Sequence, residues 1–295
     1  MASGTAISSF HATTNREDLL DVITNISPTE TPFFSSCGKT KASGAYHEWS
    51  TDSLASATAN AQIEGQDYSF AVKTTPARTG AYVQTFRNFV EVTDFERAMN
   101  PAGMDDMYAY QMAKAMKEQA RDIELALFTG TGASGASGTA RELKGALAFI
   151  ATNTGSGFYS GTGSSSPEYL FNTNLQAIWT AGGRPDTTYV NATAKRAISD
   201  FTASSTKFMN QDSKEVISGV DVYDSDFGRV KIVADRFITA GKILTVQSDL
   251  CKVAVAIPTH KVDAAKIAST TRGVVETALT LEMRQEAGCG LVTLA

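Results

Sequence analysis

The sequence predicts an α+β fold, and three observations lead there. One uninterrupted apolar stripe at helical spacing runs through residues 104–129. Alternating apolar and polar positions mark strands near 81–92, 216–232 and 277–294. Between 167 and 249, short helix and strand patterns follow one another closely. The chain has 295 residues, enough for one large domain or two modest ones with a real core.

The elements follow in order. Residues 1–44 read as an extended arm. Within it, 15–26 predicts one short helix, with Asn15 as N-cap and Glu17 and Asp18 at its positive end. Pro28 and Pro32 are expected to prevent regular structure beyond it. Phe33 and Phe34 form an apolar anchor on this otherwise polar arm. Residues 46–49 predict a short strand. From 50 to 80 the chain is polar and rich in Ala and Thr, and strand character resumes at 81–92. There Tyr82, Phe86, Val90 and Val92 share one face, with Val83 and Phe89 on the other. The result is a long projecting hairpin, marginally stable by itself and in need of a surface to lie on.

The helix over 104–129 carries Met104, Tyr108, Met112, Met116, Ala120, Ile123 and Leu127 on its stripe. Asp105 and Asp106 sit in the first turn, Lys114 can pair with Glu118, and Gly130 ends it. At 1.5 Å per residue it is roughly 40 Å long. The glycine-rich runs 130–138 and 153–166 read as mobile loops around a short apolar piece at 143–151. Pro167 then opens a helix to about Thr180, closed by Gly182-Gly183. A strand over 187–191 and a helix over 192–201 follow. Val216, Val220 and Val222 pair through an Asp224-to-Gly228 turn with Val230 and Ile232, and 242–247 adds a strand. Residues 250–295 are β again, with Thr277, Leu279, Leu281 and Met283 on one face and a turn at 286–290.

Composition narrows the function. Charged residues make up 19%, against about 25% in an ordinary soluble domain, and small residues fill the gap. A net charge of -5 speaks against a broad nucleic-acid-binding surface. No apolar run reaches the ~18 residues of a membrane span, and residues 1–10 do not read as a signal peptide. Cys37, Cys251 and Cys289 are widely spaced and odd in number, so they predict small buried hydrophobes rather than a disulfide framework.

No motif carries chemistry. Gly130, Gly132 and Gly135 match the dinucleotide fingerprint as text, but a helix precedes them and a loop follows, the reverse of what a phosphate cradle needs. His11, His47 and His260 stand in no metal-binding spacing, and no G-x-S-x-G is present. Asp105, Asp106, Asp224 and Asp226 are explained by helix starts and turns. The sequons at Asn25 and Asn191 have no secretory signal to give them meaning. No catalytic, cofactor-binding or metal residue is expected. An arm, a hairpin without its own core, a long helix and a separate α/β unit describe an interlocking shell subunit.

The residues Asn25-Ile26-Ser27-Pro28-Thr29-Glu30-Thr31-Pro32-Phe33 and His47-Glu48-Trp49-Ser50-Thr51-Asp52-Ser53-Leu54 resemble tailed-bacteriophage major capsid proteins of the Hong Kong 97-type fold. Further matches follow in order: Glu64-Gly65, Arg121-Asp122-Ile123-Glu124, Trp179-Thr180-Ala181-Gly182-Gly183-Arg184-Pro185, and Val190-Asn191-Ala192 with Lys195. Arg284-Gln285-Glu286 stands where the family pattern has Arg-Asn-Glu.

The resemblance implies a layout. Residues 1–44 are the N-terminal arm, and 45–80 the extended β-hairpin loop lying over the adjacent subunit. Residues 81–166 and 250–295 form the peripheral domain, with the spine helix at 104–129. Residues 167–249 form the axial domain. It also implies a homo-oligomer of pentamers and hexamers in an icosahedral shell around packaged double-stranded DNA, held without sequence-specific binding. The chain would be made in the host cytoplasm and reside in the virion capsid, with no membrane, enzyme activity or cofactor. Scaffolding is expected as a separate protein, alongside portal and decoration proteins. Phe33, Phe34, Tyr46, His47, Trp49, Phe70 and Arg78 are the expected intersubunit contacts, with Tyr46, Trp49 and Phe70 as anchors, since large aromatics on a coreless hairpin need outside cover. A cellular nanocompartment shell of the same fold is the alternative, and a carboxylate-dependent hydrolase a distant one.

Overall fold

The computed structural model describes residues 29–67, 70, 72–99, 105–158, 166–200 and 221–294. The expected helix over 15–26, His11, the first sequon, Met104, Val216 and Val220 lie outside the described residues.

Two sheets carry the fold. The first is four-stranded, in the order β1 (Gly38–Lys41), β12 (Cys251–Ala264), β13 (Thr270–Met283), β4 (Gln84–Thr93). β12 and β13 form a long antiparallel pair with register shifts after Val255 and Ile257. Pro258 sits at that irregularity, where a strand tolerates a residue without an N–H. Arg87 stands opposite Glu276, and Arg272 opposite Glu91, so charge pairs bridge neighbouring strands on the exposed part of the sheet.

The long helix α3 (Met107–Thr129) lies across this sheet. Its N-cap is Asp106, whose side chain accepts from the Tyr108 N–H, and Gly130 closes it. Tyr108, Met112, Ala115, Ile123 and Leu127 are buried as a stripe, but Met116 is exposed. The buried face passes instead through Gln119 and Glu124. Gln119 donates from Nε2 to the Phe86 carbonyl at 3.2 Å, so a distant backbone acceptor makes its burial tolerable. Gly273 of β13 makes room for the ends of two α3 side chains. A Cβ there would come within 2.2 Å of the Tyr108 hydroxyl and 2.5 Å of Met112 Cε.

The second sheet is six-stranded: β7 (Thr154–Gly157), β14 (Gly290–Leu294), β11 (Lys242–Val246), β8 (Thr187–Val190), β10 (Gly228–Ala234), β9 (Val222–Ser225). Helices α5 (Pro167–Thr180) and α6 (Ala192–Asp200) contribute Phe171, Leu175, Ala194 and Ile198 to its core, against Val190, Val230, Ile232, Ile243 and Val292. A larger core joins the two sheets through Leu127, Phe128, Leu143, Phe149, Tyr189, Leu244, Val253, Leu281 and Leu291. All three cysteines are buried free thiols, as their spacing suggested.

Several expectations need correction. Pro32 does not prevent structure: it opens a one-turn helix, α1 (Pro32–Ser36), because proline's missing N–H costs nothing at the first helical position. The strand expected over 81–92 is two, β3 (Ala77–Tyr82) and β4, and Phe89 is exposed while Val83 is buried. The glycine-rich runs are not only loops. The first contains β5 (Thr131–Ala133), paired with β6 (Glu142–Lys144), and the second contains β7. The sheet of the 167–249 unit also takes β7 and β14 from outside that range, so the last strand does not return to the α3 sheet.

Candidate intersubunit surface

The hairpin expected at 45–80 is built on six register pairs, from Tyr46 opposite Tyr82 to Thr51 opposite Ala77, between β2 (Tyr46–Thr51) and β3. Gly80 lets its neighbours close in, since a Cβ there would lie 2.5 Å from the His47 carbonyl and 2.9 Å from the Tyr46 ring. Alternation sorts the β2 side chains. Tyr46, Glu48 and Ser50 face out, while His47 and Trp49 face inward. Glu48 is paired with Arg78 across the strands, so the Arg78 charge is engaged within its own chain.

Beyond β2 the chain runs from 52 to 76 without a strand among the described residues. Leu54 and Val72 are each 99% exposed and Phe70 is 93% exposed, with Ile63 also open to solvent. These side chains have almost no cover from their own chain. Scattered exposed apolar residues need no explanation, but four on one strand-free segment do.

The expected contact residues separate into two groups. Phe70 stands fully out, and Tyr46 is half exposed with its ring 4.6 Å from Tyr82. Phe33 is the clearest correction. It is 0% exposed, stacked 4.8 Å from Phe128 and set edge-on 5.1 Å from Tyr189, so it anchors the arm to its own chain. Phe34 packs against the same core under Lys39. Trp49 likewise packs on the main core, 6.0 Å from Phe149, with its Nε1 buried and without an acceptor among the described residues. The pattern of large aromatics was readable, but which of them find cover at home depends on helix and strand residues far away in the chain, Phe128, Phe149 and Tyr189.

Two buried carboxylates beside these residues escaped the sequence reading. Glu282 on β13 accepts from Thr40 Oγ1 at 2.7 Å and Arg284 Nε at 2.7 Å, and lies 3.1 Å from His47 Nε2. Burial pushes its pKa up, but the Arg284, Thr40 and His47 contacts outweigh burial and hold it below the ordinary range. Glu124 on α3 accepts the Phe33 N–H at 2.7 Å and the Phe34 N–H at 2.9 Å. A charged residue directly beside Ile123 in an apolar stripe was the available signal for it.

A cleft of about 750 Å³ opens between the outer face of β4 and the 134–141 turn, lined by Phe89, small residues, Arg141, and an Arg87 already paired with Glu276. Among the described residues no group of three or more His, Cys, Asp or Glu is placed to hold a metal. No helix among them is long and apolar enough to cross a membrane.

Known proteins share both the sequence pattern and the fold. A family model, SU10 major capsid protein, matches residues 6–295. The major capsid protein of Escherichia phage Phieco32 is 30% identical over 131 residues, which is 44% of this chain and 37% of that protein's length. A structure from Mycobacterium phage Adephagia superposes with a TM-score of 0.66 at 10% identity, covering 98% of each chain. The capsid of a native GTA particle gives 0.67 at 10% identity over 100% of both chains. The SrpI encapsulin of Synechococcus elongatus gives 0.59 at 12% identity, over 95% of this chain and 91% of that one. The fold is the Hong Kong 97-type α+β fold.

Proposed function

The chain belongs to the SU10 major capsid protein family of bacteriophage virion proteins, and from that premise we propose that its copies assemble as pentamers and hexamers into an icosahedral shell around packaged double-stranded DNA. The observation that carries this reading is the 52–76 segment, with Leu54, Ile63, Phe70 and Val72 exposed on a hairpin whose base alone is paired. Side chains of this kind gain by leaving water, at about 25 cal/mol per Å² of apolar surface covered. A neighbouring copy supplies that cover when the loop lies across it.

The remaining roles follow from this. Residues 1–44 serve as the arm, 45–80 as the extended loop, 81–166 with 250–295 as the peripheral domain, and 167–249 as the axial domain, whose sheet is extended by β7 and β14 from the peripheral ranges. Tyr46 and Phe70 are the contact residues still open to a neighbour, while Arg78 reaches one with its charge already paired to Glu48. DNA is enclosed without sequence readout, and a negative subunit suits that, because sparse phosphate contacts let DNA slide during filling. Scaffolding, portal and decoration proteins are separate partners. The chain is made in the host cytoplasm and ends in the virion capsid as a structural protein. A nanocompartment shell has only the shared fold with the encapsulin in its favour, while family membership favours the phage shell.

The test is Phe70→Ser, alone and with Leu54→Ser. Both side chains are free of their own core, so the unassembled subunit should melt within about 1 °C of wild type. Sedimentation velocity should show loss of large particles. Normal shells from the double variant would remove the loop's assigned role.

A further inference from the structure

Three parts of the chain meet at one buried point that the shell reading does not use. The first turn of α1 has unsatisfied N–H groups, and Thr31 makes no side-chain cap. Glu124, some 90 residues away on α3, provides the missing cap through one oxygen to each N–H. The third party is Asp235, in the corner after β10, whose Oδ1 accepts the Phe237 N–H at 2.8 Å. Glu124 is 0% exposed and Asp235 is 2% exposed. Asp235 Oδ2 is buried with no donor in reach among the described residues, and the Glu124 side chain is its carboxyl neighbour. Two carboxyl oxygens facing each other make a hydrogen bond only when a proton lies between them.

We propose that Glu124 and Asp235 share one proton, and that this shared proton latches arm segment 31–37 and the 235–238 corner onto the α3 helix, so that alkaline conditions release the arm.

The surroundings supply no other way to neutralise the pair. On α3, the Arg121 guanidinium lies over the Phe237 ring at 5.9 Å, its Nε buried without an acceptor among the described residues. From the arm comes the Cys37 thiol, pushed up to about 12 by burial and then by the Glu124 charge. From β8 comes the Tyr189 hydroxyl, raised by burial and bonded to Ser36 at 2.5 Å. The Cys251 and Cys289 thiols lie beyond Cys37 and Tyr189. Neither carboxyl forms an ion pair with Lys, Arg or His among the described residues. Burial, then the Asp235 contact, pushes Glu124 up to about 8, and burial raises Asp235 as well.

The sign follows directly. A carboxyl raised in the folded state binds its proton more tightly there than when unfolded. The latch is therefore complete below the unfolded carboxyl range near 4.5 and is lost progressively as pH rises through about 8. Above that, the proton leaves to solvent and two buried carboxylates oppose each other.

Amide exchange of the full chain, corrected for intrinsic base catalysis, tests this at Phe33 and Phe34. Protection in wild type should fall about tenfold per pH unit from about pH 6.5 up to the titration and level off above it. Asp235→Asn should shrink that fall, because the Asn Nδ2 donates to the ionised Glu124 carboxylate and offsets part of the burial effect, while its Oδ1 keeps the Phe237 N–H. Glu124→Gln provides a second variant with lower protection that stays flat with pH. A wild-type chain without the fall, or a fall of equal size in Asp235→Asn, overturns the latch. Neither result bears on shell assembly, which microscopy reads separately.

Discussion

Replacing Phe33 by Ala separates an arm anchored at home from an arm anchored on a neighbour. The ring is fully buried between Phe128 and Tyr189, in the core that joins the two sheets. Burying an aromatic side chain removes about 150–250 Å² from water, worth roughly 4–6 kcal/mol at 25 cal/mol per Å². Partial relaxation of the cavity and a less extended unfolded chain bring the expected loss to about 4 kcal/mol, inside the range of Phe→Ala core changes. For a chain of this size that is about 8 °C in Tm, at roughly 2 °C per kcal/mol. Calorimetry or circular dichroism on unassembled subunits measures it. A variant that melts within 1 °C of wild type but no longer assembles would refute the reasoning, because the ring would then act on another copy.

Two further outcomes follow from the same geometry. Trp49→Ala should cost the unassembled subunit about 2–3 kcal/mol by thermal melting, because the indole packs on Phe149 and the main core; an unchanged melting temperature would return Trp49 to the intersubunit contacts. Glu282 is held below the ordinary carboxyl range despite burial, so its contribution is present above about pH 4.5 and lost as pH falls. Glu282→Gln should therefore flatten the acid limb of a stability-against-pH curve, and an acid limb identical to wild type would contradict that assignment.

Local pattern carried much of this fold, and the failures have a common cause. Tyr108, Met112, Ile123 and Leu127 follow helical spacing, and they are buried as that spacing predicts. The stripe departs from expectation where Gln119 replaces Met116, because its Nε2 donates to the Phe86 carbonyl, 33 residues away. The β9–β10 hairpin was legible from Asp and Gly at its turn, with Gly228 at φ 132. β7 was not, since Thr-Gly-Ser-Gly has no strand propensity and owes its conformation to parallel pairing with β14. The contact surface was half legible for the same reason. Phe33, Trp49 and Phe70 look alike as large aromatics on a thin segment. Only the distant partners Phe128, Tyr189 and Phe149 decide that two are interior and one is exposed. Glu124 and Asp235 lie further still from local pattern, because their burial depends on each other and on the arm backbone.

Electron microscopy of the purified chain, over a range of concentrations, tests the central claim most directly. The account predicts rings of five or six copies and closed shells built from them. A chain that remains monomeric or dimeric at every concentration would contradict it.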